Sequence, residues 1–243
     1  MTPDEHDDSA LQNGDDNDGS AADARPESVR ERLRSAARPD PDVPALDASA
    51  PPRDPIALFT EWLFAAVDAG IPQPQAMTLS TSSATGEVTA RTLLLKDVDE
   101  AFWFATSSLS PKGRQIAENP RVGLTFFWSA LGRQVRVEGR AEEGPDDARR
   151  ADFLARHPDT RAAAIAVPQS ERVDVEAPAT RARVDEARRE IDRDPDLVPD
   201  DWAVYRVVPS MIEFWQATTG RDQVRVRYDA APGGGWRHAA LWP

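Results

Sequence analysis

The sequence predicts a mainly β fold, an antiparallel barrel with helices at its periphery. Two observations carry that reading. From residue 77 onward, short runs rich in Val, Leu, Thr, Phe and Trp recur, bounded by Gly, Pro, Asn or Asp, the signature of strands and turns. Few helical patterns separate them, so successive strands are placed to pair as a meander. A length of 243 residues suits one good-sized core together with tails.

Taken in order, residues 1–24 hold eight acids and no Lys or Arg amid Gly, Ser, Ala and Asn. Such a segment buries too little apolar surface to offset its ordering entropy and is expected to be disordered. Residues 25–40 suit a short basic helix, and the Pro-rich residues 41–53 suit a linker. The chain therefore divides into a tail and linker, 1–53, and a folded domain, 54–243. The domain opens at Asp54-Pro55, a good N-cap followed by a good first helical residue. Leu58, Phe59, Trp62, Leu63, Ala66 and Val67 follow at helical spacing, and Gly70 stops the helix. Strands are expected over 77–82, 88–96 and 101–106, with a turn at 84–86. Ser110-Pro111 caps a short helix that ends near Glu118, and Asn119-Pro120 breaks it. Residues 122–128 and 134–142 read as a hairpin, and 145–156 and 178–193 as helices. Residues 202–208, 211–216, 223–228 and 236–241 complete the β inventory.

Bulk composition removes several classes of function. There is no cysteine, hence no disulfide, thiolate metal site or cysteine nucleophile. His6, His157 and His238 are far apart in sequence, so a histidine-rich metal site is not expected. The formal net charge is -13, and the first 54 residues hold 14 acids against 6 bases. That balance argues against nucleic acid as a partner. No apolar run approaches the ~20 residues of a membrane span, and the N-terminus lacks a signal core. The expectation is a cytoplasmic protein without a membrane partner.

Four segments place cations or amides inside apolar β-type sequence: Arg91-Thr92-Leu93-Leu94-Leu95-Lys96, Ser110-Pro111-Lys112-Gly113, Gly132-Arg133-Gln134-Val135-Arg136-Val137-Glu138-Gly139, and Glu213-Phe214-Trp215-Gln216. A strand interior has little use for Arg or Lys unless something anionic meets them. Strand alternation puts Arg91 on one face with Leu93 and Leu95, and Lys96 on the other. Ser110-Pro111-Lys112 opens a helix, whose free N–H groups and positive dipole end suit a phosphate. Gln134 both donates and accepts hydrogen bonds.

In order and spacing these segments resemble the flavin-mononucleotide oxidases of the pyridoxine/pyridoxamine 5'-phosphate oxidase family, from about Asp54 to the C-terminus. The resemblance implies an FMN-binding split β-barrel and a homodimer with FMN at its interface. It also implies a small-molecule substrate and O2 as electron acceptor. It assigns Arg91, Thr92, Leu93, Leu94, Thr106, Lys112, Gln134, Trp215 and Arg225 to FMN, with Gln169 and Ser170 reaching in from the partner subunit. Lys96, Asp152, Arg156, Thr160, Arg221 and Gln223 fall on the substrate side, and Arg221 is the expected catalytic clamp over the flavin.

The departures cluster on the substrate side. There Gln223 replaces a His, Asp152 a Tyr and Thr160 a Ser; on the cofactor side Pro111 replaces an Arg that binds the FMN phosphate. An acid beside a phosphate dianion is repulsive. A second branch, the flavin oxidases of phenazine biosynthesis in secondary metabolism, shares an opening close to residues 54–63. The leading expectation is an FMN oxidase for a small heteroaromatic or aminated substrate. A true pyridoxine/pyridoxamine 5'-phosphate oxidase and a non-enzymatic flavin- or haem-binding split barrel stand as alternatives.

Overall fold

The computed structural model describes residues 29–35, 43–172, 178–218 and 223–242. The acidic segment 1–24 and Arg221 lie outside the described residues. In the N-terminal unit, 1–38, helix α1 (Val29–Ser35) matches the basic helix expected there.

The second unit, 39–243, carries the barrel. Helix α2 (Pro55–Asp68) starts where Asp54 accepts the Ile56 N–H at 2.9 Å, with Pro55 in the first turn. Its face of Leu58, Phe59, Trp62 and Ala66 is buried, whereas Val67 is exposed. Gly70, at φ +68°, turns the chain out of the helix, a conformation that costs Gly little.

Nine strands are described: β1 (Ala76–Ser82), β2 (Val88–Leu94), β3 (Asp97–Val98), β4 (Phe102–Ser107), β5 (Arg121–Trp128), β6 (Arg133–Glu143), β7 (Trp202–Ala217), β8 (Gln223–Ala230) and β9 (Trp236–Ala240). All pairings are antiparallel, in the order β2-β1-β5-β6-β7-β4-β3, with β8 added to β7 and β9 to β8. Strand β7 is what splits the barrel. It pairs with β6 along its length, with β4 through its first half and with β8 through its second. The sequence suggests two strands here because Pro209 removes a donor. The structure has one continuous strand, because the register shifts at Glu138/Gly139, opposite Pro209, and a bulge is where a sheet tolerates Pro. Gly139 makes that bulge possible: a Cβ there would lie 2.4 Å from Val208 O.

The core sits between α2 and the concave face of the sheet. The Phe59 ring meets Phe102 at 4.9 Å and Phe126 at 4.8 Å, both edge-on, and Trp62 meets Phe214 at 5.2 Å. Such pairs add to the burial of large apolar rings. Residues 43–53, expected as linker, are fixed to the barrel. The Leu46 N–H donates to Gln216 Oε1 at 2.9 Å, Gln216 Nε2 donates to Pro44 O at 2.9 Å, and the Tyr228 hydroxyl donates to Pro52 O at 2.8 Å.

Peripheral helices are α3 (Pro111–Glu118), α4 (Asp146–Leu154), α5 (Pro158–Ala166) and α6 (Pro178–Arg193). Helix α5 was not expected, because its alanine run gives a weak apolar period. It is real packing all the same: Ala162 joins Ala187 and Ile191 of α6 in a second small core. Among the described residues no helix is long and apolar enough to cross a membrane, and no His, Cys, Asp or Glu group could hold a metal.

Candidate active site

One cluster is a cationic seat. Helix α3 begins at Ser110, whose Oγ accepts the Gly113 N–H at 3.2 Å and Lys112 Nζ at 3.1 Å. Gly113 lets the helix start tight against the preceding loop, since a Cβ would lie 2.3 Å from Ser108 O. Lys112 is only 4% exposed. Its other partner is Gln169 Oε1 at 3.0 Å, which also accepts the Thr106 hydroxyl of β4 at 2.9 Å. Arg91 of β2 donates to Leu79 O and to the Thr81 and Thr89 hydroxyls. Burial, and then the Arg91 charge, push the Lys112 amine down to about 8; burial also lowers Arg91. Two cations so close, with only neutral partners among the described residues, are unfavourable as they stand. That arrangement fits an anion such as the phosphate of FMN.

A cavity of about 440 Å³ adjoins this seat. Thr92, Leu93 and Leu94 of β2, Lys96, Thr106, Arg156, Thr160 and Gln169 line it, so part of the cofactor-side and part of the substrate-side expectations meet in one place. Leu93 faces inward with Arg91, as strand alternation requires. Asp152 of α4 stands behind the cavity wall and takes Lys96 Nζ at 3.1 Å and the Trp202 Nε1–H at 3.1 Å. Arg156 lies one turn on from Asp152, at 3.9 Å, with its guanidinium 4.5 Å from the Trp202 ring centre.

A second cluster lies on β5 to β8. Phe127, Gln134, Trp215 and Arg225 are successive cross-strand partners and form one row across four strands. Beside the row, on the same face of β7 as Trp215, Glu213 is 5% exposed and takes Arg225 at 2.9 Å and Arg136 at 3.5 Å. Trp215 Nε1 donates to Gln223 Oε1 at 2.7 Å. These residues border a cavity of about 350 Å³ that shares no lining residue with the first.

The sequence-based site therefore falls into two half-sites. Gln134, Trp215, Arg225 and Gln223 group together; Arg91, Thr106, Lys112 and Gln169 group elsewhere. Gln169 was expected to act from a partner, yet within this chain it already touches Lys112. Ser170, at φ +69°, lines the adjoining cavity. Two residues were missed. Trp202 stacks on Arg156 and bonds Asp152; its only signal was an indole opening a strand after Pro199-Asp200-Asp201. Glu213 stood inside a recognised segment, but a buried acid flanked by two arginines becomes visible only when β6 and β8 are set beside β7.

Residues 63–191 match the family described as pyridoxamine 5'-phosphate oxidase, and residues 202–243 match the pyridoxine 5'-phosphate oxidase C-terminal dimerisation region. The chain belongs to the pyridoxamine 5'-phosphate oxidase family. Curated relatives in this family include the pyridoxine/pyridoxamine 5'-phosphate oxidase of Cupriavidus necator, 41% identical over 78% of this chain and 89% of its own length. The Burkholderia pseudomallei protein of the same name is 40% identical over 82% of this chain and 94% of its own. Among solved structures, PhzG from Burkholderia lata 383, in complex with tetrahydrophenazine-1-carboxylic acid, superposes with a TM-score of 0.76 at 27% identity, over 84% of this chain and all of that one. A pyridoxamine 5'-phosphate oxidase-related, FMN binding protein from Nostoc punctiforme superposes at 0.65 with 17% identity, over 78% and 98%, and shares the fold. Membership places the chain in an oxidase family, on the FMN-binding split barrel that its sequence suggests.

Proposed function

We propose that this chain is an FMN-dependent oxidase of a small heteroaromatic or aminated substrate, working as a homodimer with two shared sites. The observation that carries the reading is the separation of the cofactor-side residues into two half-sites without a common lining residue. One has cations to which the described residues bring no anion; the other offers an amide, an indole and a guanidinium in one row. A second copy of the chain would bring them together, and the match of residues 202–243 to a dimerisation region supports that arrangement.

Arg91 and Lys112 would hold the FMN phosphate, with Thr106 and Gln169 orienting it. Gln134, Trp215 and Arg225 would meet the flavin from the other chain. Bound FMN supplies the redox chemistry, accepting hydride from substrate and returning electrons to O2. The protein's part is positioning: β2 forms one wall of the cavity, Leu93 excludes water, and Lys96 and Arg156 face the substrate. Arg221, outside the described residues, is the proposed clamp.

The relatives from Cupriavidus and Burkholderia favour a second reading, oxidation of pyridoxine or pyridoxamine 5'-phosphate. PhzG, with its carboxylic acid ligand, favours the first. The flavin claim is tested by purifying the protein, releasing its ligand by denaturation and identifying it chromatographically. Yellow protein with about one FMN per chain is expected. Colourless protein that takes up no FMN in titration overturns the reading.

A further inference from the structure

The cations on the substrate side already have an anion. Lys96 and Arg156 both lean on Asp152, at 3.1 and 3.9 Å, and Trp202 fixes the same carboxylate from the strand behind. Asp152 has a side chain only 14% exposed, so it is held in place. Two cations and one carboxylate leave a single net positive charge. The adjoining cavity shares Arg156, Thr160, Gln169 and Trp202 with the first and adds Glu171 and Asp201 to its wall. A phosphate monoester carries about -1.5 to -2 charge at neutral pH. To engage Lys96 and Arg156 fully it would have to displace Asp152, leaving that carboxylate buried and facing the dianion. An aromatic carboxylate carries one charge, and a guanidinium reads it through two parallel N–H bonds. Arg156 lines the cavity, and its guanidinium is steadied by the Trp202 ring, 4.5 Å from the ring centre.

We propose, on the flavin-oxidase reading above, that Asp152 determines specificity by setting this pocket for a substrate with one carboxylate and against a phosphate dianion. Coulomb energy scales with the product of the charges. A unit change in pocket charge therefore acts on a dianion about twice as strongly, in log affinity, as on a monoanion.

The test uses the FMN-loaded full chain, titrated with phenazine-1-carboxylate and with 4-deoxypyridoxine 5'-phosphate while the flavin absorbance is followed. The carboxylate is expected to bind about tenfold more tightly to the unmodified protein, because only the dianion has to displace Asp152 from Lys96 and Arg156. In Asp152→Asn, affinity for the phosphate should rise about 100-fold where that for the carboxylate rises about tenfold. Lys96→Met should weaken the phosphate about 100-fold where it weakens the carboxylate about tenfold. Preference of the unmodified protein for the phosphate overturns the proposal. So do variants that move both ligands equally, or a flavin band that neither ligand perturbs. If the variants do not fold, the order of affinities in the unmodified protein decides alone. Protein that takes up no FMN sinks the flavin reading, and this proposal with it, and is told apart by the missing flavin band.

Discussion

The protein holds two pairs of cations in opposite surroundings. Arg91 and Lys112 sit among hydroxyls, an amide and a backbone carbonyl, and the described residues bring no carboxylate to them. Lys96 and Arg156, which line the neighbouring cavity, share Asp152. A buried cation with neutral partners is destabilising until an anion arrives. On the proposed reading the first pair awaits the phosphate of the cofactor and destabilises the protein without it; the second is already neutralised in part and contributes to the fold. Charge in a cavity does not by itself mark a phosphate site. What marks it is charge that the protein leaves unanswered.

The largest expected effect breaks the first pair. Lys112→Met should weaken FMN binding about 30- to 100-fold, the value of one hydrogen bond from a charged group. It should also raise the melting temperature of the FMN-free protein, since an unanswered charge is replaced by apolar volume. Flavin titration and thermal unfolding of the same samples check both halves. Loss of stability together with loss of FMN would make Lys112 an ordinary structural lysine.

Acidity probes the same seat without mutation. The Lys112 amine sits at about 8 in the fold against a usual 10.5. Between those values the unfolded chain binds more protons than the folded one, so this group makes FMN-free protein more stable as pH rises from about 8 to 10. FMN binding has the opposite slope. Above pH 8 the free amine must take up a proton to meet the phosphate, so Kd should rise by up to about tenfold per pH unit. Lys112→Met should flatten both dependences relative to the parent. Equal slopes in parent and variant would assign the titration to another group.

Much of this was legible in the sequence, and what was not depends on contacts distant along the chain. Strand positions followed from alternation, and Arg91 and Lys112 stood out because charge in strand sequence and at a helix start needs a reason. The continuity of β7 was hidden, because Pro209 reads as a break until the bulge at Gly139 is set opposite it. Residues 43–53 read as linker because Pro suits one, while their partners Gln216 and Tyr228 lie at the other end of the chain. The grouping into half-sites depends on sheet register, which places Gln134 beside Trp215 and Trp215 beside Arg225. In the sequence Asp152 read as a repulsion toward a phosphate. That it already holds Lys96 and Arg156 was not legible there.

The second pair should break in the opposite sense. Asp152→Asn leaves Lys96 and Arg156 without their anion. Lys96 is more than a third exposed, so water screens much of the loss and the cost is about 1 kcal/mol. For a domain of this size that lowers the melting temperature by about 2–4 °C. FMN affinity should stay within about twofold of the parent, because the cofactor seat draws on other residues. Should Asp152→Asn and Lys112→Met shift stability in the same direction, the contrast between the pairs fails.

The smallest expected effect concerns the far end of the chain. Removing residues 1–38 deletes a segment of high acid content and the exposed helix α1, in which Val29 and Leu33 face solvent. It keeps Pro44, Leu46 and Pro52, whose backbone groups are bonded to Gln216 and Tyr228. At physiological ionic strength, exposed charges more than about 8 Å apart are largely screened from one another. The truncated protein should therefore melt within about 1 °C of the parent and bind FMN within about twofold. A clear gain in FMN affinity on truncation, strongest at low salt, would mean that the acidic segment competes with the phosphate for Arg91 and Lys112. Those cations would then be answered from within the chain after all.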